Sequence, residues 1–243
     1  MPPAVWPAGG TIAGVKAILF DWDGTLIDTL GALYRANVEV MGALGLPFDE
    51  ALYRRHFAPD WRLMYRRLGV PERRLDEANE RWLAAYALGG ESRPFPGVEA
   101  ALERLATAGY PLGLVTAGDR EVVEPQLDRF GLAGRFAATV FGDEVGAHKP
   151  DPGPLQAALA RLRIDDRPER VAYLGDVPDD MRMARAVGVH AVGIVSALGE
   201  EADLLAAGAD EVVASAVEWI DSFLARPAEA PAGARPAPRA SVG

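Results

Sequence analysis

The feature that most constrains this chain is a short apolar run, Ala17–Phe20, that ends in the segment Asp21-Trp22-Asp23-Gly24-Thr25. An apolar run of this length bounded by a turn predicts a fully buried β-strand. Open α/β sheets bind their ligands at the carboxyl ends of strands, so chemistry is expected where this strand ends. Strand side chains alternate between faces, which places Asp21 and Asp23 on one face if the backbone stays extended. Taken alone, the segment is equally compatible with a strand that ends in a polar turn.

The second half of the chain alternates between helical and strand patterns. Strand-like apolar runs are predicted at 112–115, 138–141, 171–174, 191–195 and 211–213, with helical patterns between them. Such alternation is typical of parallel strands joined by right-handed helical crossovers. The predicted fold class is therefore α/β, with a Rossmann-like, doubly wound parallel sheet as its core.

Residues 29–93 carry helical patterns and no strand candidate. Helices are predicted over 30–44, 50–57, 61–68 and 71–88. We interpret this segment as an all-helical cap domain inserted after the first strand, with glycines at 31, 89 and 90 that allow it to pivot. The catalytic core then comprises 15–28 and 94–225, and the segments 1–14 and 226–243, rich in Pro and Ala, are predicted to be flexible termini.

Three further loops bear polar residues at or after predicted strand ends. They are Thr116-Ala117-Gly118, the segment 147–152 with Lys149 between two prolines, and the segment 175–180 with Asp176, Asp179 and Asp180. Each has an ordinary explanation: a helix cap, a solvated lysine, or acids that favour a helix N-terminus. Together they supply a hydroxyl, a cation and carboxylates in addition to Asp21 and Asp23, which is the set of groups that phosphoryl transfer requires.

Composition excludes several classes of function. A formal net charge of −10 argues against general nucleic-acid binding, which normally needs a basic face. The absence of cysteine excludes disulfides, thiolate metal sites and a thiol nucleophile. No apolar run approaches the ~20 residues that span a bilayer, and the N-terminal segment lacks the pattern of a secretory signal. A cytoplasmic protein without a membrane partner is expected, and its oligomeric state is left open.

The ordered segments DWDGT, VTAG, HKPDP and GDVPDD resemble the four motifs of the haloacid dehalogenase superfamily. The helical segment resembles that family's C1-type cap, and the return FPGV at 95–98 resembles phosphoglycolate phosphatase-like members. The resemblance implies a phosphatase that uses Mg²⁺ and hydrolyses a small phosphorylated metabolite through an aspartyl-phosphate intermediate.

The same resemblance assigns a role to each motif residue. Asp21 would be the nucleophile and Asp23 the general acid/base. Thr116 would bind the phosphoryl group, together with Trp22, Asp23 and Ala117. Lys149 would contact the same group and would orient and neutralise the nucleophile. The metal would be held by Asp21, the backbone carbonyl of Asp23, Asp176 and, less directly, Asp180.

Alternatives remain at this point. The dehalogenases proper and the phosphonatases lack an acid at the position of Asp23. The presence of this acid, which can protonate a leaving alcohol, favours phosphate-ester hydrolysis. A sugar phosphomutase of the β-phosphoglucomutase type shares the motifs, but usually carries a histidine about where this chain has Leu33. A non-enzymatic protein, either a phospho-receiver-like domain or a regulatory binding protein that lost turnover, is the alternative outside enzymes.

The substrate is not determined by these motifs. Ala117-Gly118 replaces the Asn-Lys or Ser-Lys often seen in phosphoglycolate phosphatases. Residues 29–93 hold ten arginines against nine acids. An anionic leaving group could contact Arg62, Arg66 or Arg67. The alternative is that these three arginines form a solvated helix face. Trp61, Tyr65 and Trp82 are expected in the core of the cap.

Overall fold

The computed structural model describes residues 14–89 and 92–226. The predicted flexible termini lie outside the described residues except for Gly14 and Arg226, and so does Gly90 of the predicted pivot. None of the helices in the described part of the chain is long and apolar enough to span a membrane.

The strands and α-helices of the described residues follow the predicted alternation. The strands are β1 (Ala17–Phe20), β2 (Ile27–Asp28), β3 (Arg93–Pro94), β4 (Leu112–Val115), β5 (Ala138–Val140), β6 (Val171–Gly175), β7 (His190–Ile194) and β8 (Glu211–Val213). The helices are α1 (Leu30–Leu44), α2 (Glu50–His56), α3 (Trp61–Arg67), α4 (Leu75–Gly89), α5 (Val98–Thr107), α6 (Arg120–Arg129), α7 (Gly153–Leu162), α8 (Pro178–Val187), α9 (Glu201–Ala207) and α10 (Ala216–Ala225).

Six strands form one parallel sheet in the order β5-β4-β1-β6-β7-β8, which confirms the predicted α/β fold class. β1 pairs with β4 on one side and with β6 on the other. The chain therefore extends the sheet first in one direction and then in the other from β1. A crevice opens at the carboxyl ends of strands where the direction of winding changes, so this topology places a site at the end of β1.

Helices cover both faces of the sheet because β1 is apolar on both of its faces. Ile18 and Phe20 belong to a cluster that includes apolar residues of α5 and α10. Ala17 and Leu19 belong to a second cluster formed with α7, α8 and α9. A strand with apolar side chains on both faces is typical of a parallel sheet, and it explains the continuous apolar run in the sequence.

The helical insert has a core of its own, to which all four of its α-helices contribute. A two-stranded antiparallel ribbon joins it to the sheet, with Ile27 paired with Pro94 and Asp28 paired with Arg93. The expectation of no strand within 29–93 is thus wrong at Arg93. A two-residue strand is too short to show a hydrophobic period, so no sequence pattern announces it. The longest predicted helix also begins later than Pro71, at Leu75, after a 3₁₀ turn over Glu72–Arg74.

The core predicts a clear contrast between two leucines. Leu102 is fully buried between α5 and the sheet, whereas Leu205 in α9 is 48% exposed. Leu102→Ala should lower the free energy of unfolding by about 2–5 kcal/mol, because it leaves a cavity in a packed interior. Leu205→Ala should change it by less than about 0.5 kcal/mol. Urea denaturation followed by circular dichroism measures both, and equal losses would contradict this account of the core.

Candidate active site

Asp21 is the first residue beyond β1, and it stays aligned with the neighbouring strand. Its backbone N–H donates to the carbonyl of Leu174 in β6 at 2.8 Å. The chain then turns sharply, since the N–H groups of Leu26 and Ile27 both donate to the carbonyl of Trp22 at 3.0 Å. The predicted strand followed by a tight polar loop is therefore present.

Gly24 allows this loop to touch the loop after β6. Its φ is +73°, in the left-handed region, and a Cβ at this position would collide with Asp176 Oδ2. Both requirements exclude a side chain here. The glycine of the DWDGT segment thus brings the first and fourth motifs into direct contact.

A buried lysine lies between two of the carboxylates. Lys149 comes from the loop between β5 and α7, and its Nζ is 2.5 Å from Asp21 Oδ1 and 2.8 Å from Asp180 Oδ1. All three side chains are buried. Buried ions are tolerated when close geometry and further hydrogen bonds replace the water that they lose. Lys149 therefore holds Asp21 in place and offsets part of the negative charge.

Asp180 is held by four donors. Its Oδ1 accepts from Lys149 and from the Tyr173 hydroxyl at 2.9 Å, and its Oδ2 accepts from the backbone N–H groups of Asp176 and Val177, each at 3.2 Å. Asp180 lies in the first turn of α8, where the helix dipole also favours a negative charge. The side chain of Asp180 therefore orients both the lysine and the loop after β6.

Asp176 carries an oxygen that needs a partner. Its Oδ2 is buried and has no hydrogen-bond partner among the described residues. Oxygen atoms of Asp21, Asp176 and Asp180 lie within 4.8 Å of one another. Carboxylate oxygens are the donors that hard divalent cations such as Mg²⁺ prefer. The donor set and the unpartnered oxygen both fit Mg²⁺.

Burial raises the pKa values of these acids. The pKa of Asp21 is raised to about 7, chiefly by burial, with Lys149 opposing the shift and Asp180 and Asp23 adding to it. The pKa of Asp176 is raised well above its usual range by burial and then by Asp21 and Asp180. A bound cation favours the ionised forms of such acids. A cation held by these acids would therefore lower their pKa values again.

Thr116 and Asp23 complete the sheet side of the site. Thr116 is buried at the end of β4, and its Oγ1 accepts from the N–H of Gly118 at 3.0 Å. A Cβ on Gly118 would lie 3.3 Å from Thr116 Oγ1 and 3.8 Å from Asp23 Oδ2, so both groups face the same small space. Burial raises the pKa of Asp23, while the Thr29 hydroxyl and Lys149 lower it in part.

The structure brings the predicted site residues together around one cavity of about 140 Å³. Asp21, Asp23, Ala117, Lys149 and Asp176 line it. Three further predicted residues are buried beside the lining: Thr116, Asp180 and Trp22. Thr116 accepts from the N–H of Gly118, Asp180 contacts Lys149, and Trp22 lies between Asp21 and Asp23 in the chain. The opposite wall is formed by the helical insert and contains six aromatic residues: Tyr53, Phe57, Trp61, Tyr65, Trp82 and Tyr86.

The expected positions of the insert's aromatic and basic residues are only partly correct. Tyr65 is buried in the insert core as predicted, whereas Trp61 and Trp82 pack against that core, and all three also line the cavity. The three arginines are exposed and lie outside the cavity lining: Arg62 pairs with Asp76, Arg66 pairs with Glu72, and Arg67 approaches the carbonyl of Phe57. They form a solvated helix face.

A chain of hydrogen bonds that sequence reasoning missed links the loop after β1 to the insert. The Trp22 indole N–H donates to Gln126 Oε1 at 2.7 Å, and Gln126 Nε2 donates to the Tyr86 hydroxyl at 2.9 Å. Tyr86 in turn lies 3.2 Å from the hydroxyl of Ser92 beside β3. A buried tryptophan needs an acceptor for its N–H, and Trp22 was the signal from which a partner could have been sought.

This chain predicts energetic coupling between Trp22 and Gln126. Trp22→Phe removes the donor and leaves Gln126 Oε1 buried without it, which should cost about 1–3 kcal/mol of stability. Gln126→Leu leaves the indole N–H unpaired at a similar cost. The double variant removes both partners, so its loss should be smaller than the sum of the single losses by at least about 0.5 kcal/mol. Chemical denaturation of all four proteins measures this cycle, and additive losses would refute the coupling.

Comparison with known proteins agrees with this geometry. Residues 15–188 match the family model of haloacid dehalogenase-like hydrolases. The chain is 32% identical over 186 residues to the N-acetylmuramic acid 6-phosphate phosphatase of Pseudomonas aeruginosa, an alignment that covers 74% of this chain and 81% of the relative. It is 35% identical over 191 residues to a phosphoglycolate phosphatase of Rhodospirillum rubrum, covering 73% and 78% of the two chains.

The fold is similar to that of a haloacid dehalogenase-like family hydrolase from Streptococcus pneumoniae. The TM-score is 0.75 at 26% identity, and the superposition covers 86% of this chain and 99% of the other. The family model covers most of the described core, and the four motifs that carry the resemblance meet at one cavity. This protein belongs to the haloacid dehalogenase-like hydrolases.

Proposed function

We propose that this protein is a Mg²⁺-dependent phosphatase that hydrolyses the phosphate ester of a small metabolite through an aspartyl-phosphate on Asp21. The observation that carries the proposal is the buried group formed by Asp21, Lys149, Asp176 and Asp180 at the end of β1. The phosphatase class agrees with the names of the two relatives described above. A cytoplasmic location, expected from the sequence, belongs to the same proposal.

The carboxylates have separate tasks in holding the cofactor. Asp21 and Asp176 would bind Mg²⁺ directly, and the backbone carbonyl of Asp23 would add a third oxygen. Asp180, whose oxygens already accept from four donors, would orient Asp176 and act on the cation indirectly. Bound Mg²⁺ supplies positive charge that offsets the repulsion between Asp21 and the phosphoryl oxygens.

The phosphoryl group would be held by donors from three strand ends. Lys149 already contacts Asp21 and would also contact a phosphoryl oxygen placed beside it. Thr116 Oγ1 accepts from Gly118, so its own proton is free to point toward the substrate. The backbone N–H groups at Trp22 and Ala117 would add two neutral donors. Preorganised donors of this kind stabilise the charge that builds up in the transition state.

Asp23 would transfer the protons. It lines the cavity near Thr116, and burial raises its pKa, which helps it to hold a proton for the departing alcohol. Once the alcohol leaves, the same carboxylate would take a proton from water as the water attacks the aspartyl-phosphate. This alternation returns Asp21 and Asp23 to their starting states, so the cycle is complete.

The helical insert would act as the cap. It supplies the aromatic wall, and it is joined to the core through the β2–β3 ribbon and through the contact of Tyr86 with Gln126. A cavity of about 140 Å³ suits a small leaving group, since an engineered cavity of ~150 Å³ accepts benzene. Closing the insert over such a group excludes bulk water from the reaction.

The mutase alternative requires a proton-transferring group on the insert. The position where such enzymes usually carry histidine is Leu33, which lines the cavity here and cannot exchange a proton. A measurement of activity tests the alternative of a binding protein without turnover. Mg²⁺-dependent release of p-nitrophenolate from p-nitrophenyl phosphate would support the phosphatase and exclude the binding protein.

The metal assignment predicts different effects for two neighbouring acids. Mg²⁺ should raise the melting temperature of the EDTA-treated wild-type protein, because a ligand that binds the folded state stabilises it. Asp176→Asn should abolish this rise. Asp179→Asn is the matched control, because it makes the same substitution at an acid that pairs with Arg182 outside the cluster.

The raised pKa of Asp176 also predicts the direction in which Asp176→Asn changes the stability of the metal-free protein. A carboxyl group whose pKa is higher in the folded than in the unfolded protein destabilises the fold at neutral pH. Without Mg²⁺, Asp176→Asn should therefore be at least as stable as the wild type at pH 7. Thermal scans with and without the metal test both statements, and an unaltered Mg²⁺ response in Asp176→Asn would contradict the assignment.

The two aspartates of the first loop predict distinct kinetic defects. Asp21→Asn removes the attacking oxygen, so no covalent intermediate should form. Asp23→Asn keeps the nucleophile but cannot assist the proton transfers, so turnover of an alkyl phosphate should fall by ~10²–10⁴. With p-nitrophenyl phosphate, whose leaving group needs little protonation, Asp23→Asn should release about one nitrophenolate per site in a burst and then stall. Stopped-flow absorbance detects the burst; a burst from Asp21→Asn would overturn the roles.

A further inference from the structure

We infer that the leaving group is an uncharged, ring-bearing alcohol that carries a hydrogen-bond donor, and that carboxylate-bearing phosphate esters are poor substrates. This inference rests on the proposed phosphatase function and names its substrate class. It follows from three properties of the cavity: the aromatic surface of the insert, the charged residues of the lining, and one buried polar atom of the insert.

The insert presents ring faces and ring edges to the cavity. Trp82 and Tyr86 are stacked, with centroids 4.7 Å apart and an interplanar angle of 9°. Trp61 packs edge-on against Tyr65, and leucine and methionine side chains line the same cavity. Aromatic side chains of this kind bind through apolar area and through the faces of rings. A ring-bearing group matches such a wall better than a short charged chain does.

The charges around the cavity are unfavourable for an anion. Among the described residues that line the cavity, Lys149 is the only basic one, and it already contacts Asp21 and Asp180. The cavity lining carries a further acid, Asp119, which lies in the loop between β4 and α6. Burying a carboxylate without a paired cation costs several kcal/mol in a site of low polarity.

Arg62 lies outside the cavity lining, and its charge, together with that of His148, only partly opposes the rise that burial causes in the pKa of Asp119. Arg62 is exposed, lies 3.4 Å from Asp76 and covers the Trp61 ring at 4.4 Å. The tyrosines of the wall stay neutral: burial raises the pKa of Tyr86 to about 12 and raises that of Tyr53 further. The wall therefore offers neutral groups to the leaving alcohol.

Asn37 supplies the polar anchor. It is 2% exposed, lines the cavity, and donates from Nδ2 to the carbonyl of Leu33 at 2.8 Å. That bond identifies the nitrogen, so the other atom is the carbonyl Oδ1. Oδ1 is buried without a hydrogen-bond partner among the described residues. An unpartnered buried acceptor is costly, and an O–H or N–H on the leaving group would satisfy it.

The test compares three substrates of nearly the same shape, in the presence of Mg²⁺: 4-methylbenzyl, 4-(hydroxymethyl)benzyl and 4-carboxybenzyl phosphate. Their leaving alcohols differ at a point remote from the ester, so intrinsic reactivity is similar. Relative to the methyl compound, kcat/KM should be about three- to tenfold higher for the hydroxymethyl compound, which can donate to Asn37. It should be at least about tenfold lower for the carboxylate.

Two variants assign these differences to residues. Asn37→Leu should reduce the ratio of hydroxymethyl to methyl compound to about one. Asp119→Asn should raise the ratio of carboxylate to methyl compound several-fold, because it removes a negative charge from the wall. Asp128→Asn, which makes the same charge change on the exposed side of α6, should leave that ratio as in the wild type.

The outcomes separate this inference from the function on which it rests. Release of phosphate from none of the three esters, nor from p-nitrophenyl phosphate, would overturn the phosphatase proposal and this inference with it. Hydrolysis in which the carboxylate is preferred, or in which Asn37→Leu leaves the hydroxymethyl advantage intact, would overturn the substrate class alone. Hydrolysis in the predicted order, with both variants shifting the ratios, supports it.

Discussion

The buried contact of Lys149 with Asp21 and Asp180 is the interaction on which the rest of the site depends. Each of these groups loses its water on folding, and one ammonium cannot offset all the carboxylates around it. Burial raises the pKa of Asp21, the neighbouring carboxylates raise it further, and an oxygen of Asp176 is left without a partner among the described residues. The protein thus carries a local deficit of positive charge, and a divalent cation and the donors of a phosphoryl site are the groups that fit it.

The sheet topology makes this arrangement feasible. β1 lies between β4 and β6, so the loops after three adjacent strands open into one crevice, and the loop after β5 reaches in with Lys149. Contact between the loops after β1 and β6 is close because Gly24 has no side chain, and a Cβ there would collide with Asp176. The parallel sheet therefore holds the carboxylates, the Thr116 hydroxyl and Lys149 in fixed positions before any substrate binds.

The cavity combines two kinds of chemistry on opposite walls. The sheet side holds charged groups suited to phosphoryl transfer, and the insert side holds aromatic rings and the amide of Asn37. The hydrogen bonds from Trp22 through Gln126 to Tyr86 connect the two walls. A group that contacts Tyr86 is therefore connected through these hydrogen bonds to the loop after β1.

The sequence by itself determined the parallel α/β core, the helical insert and the motif residues, because apolar period and strand-end loops are local properties of the chain. Lys149 and Asp21 are 128 positions apart. Their common location at the carboxyl ends of the strands nevertheless follows from the alternation of strands and helices in the sequence. Only the tertiary structure decided which faces of α3 and α4 turn Trp61 and Trp82 toward the cavity, that Gln126 bridges the two walls, and that two-residue strands close the insert. These features depend on how separate elements pack against each other, and a helix with apolar residues on two faces does not reveal which face meets the core and which meets the substrate.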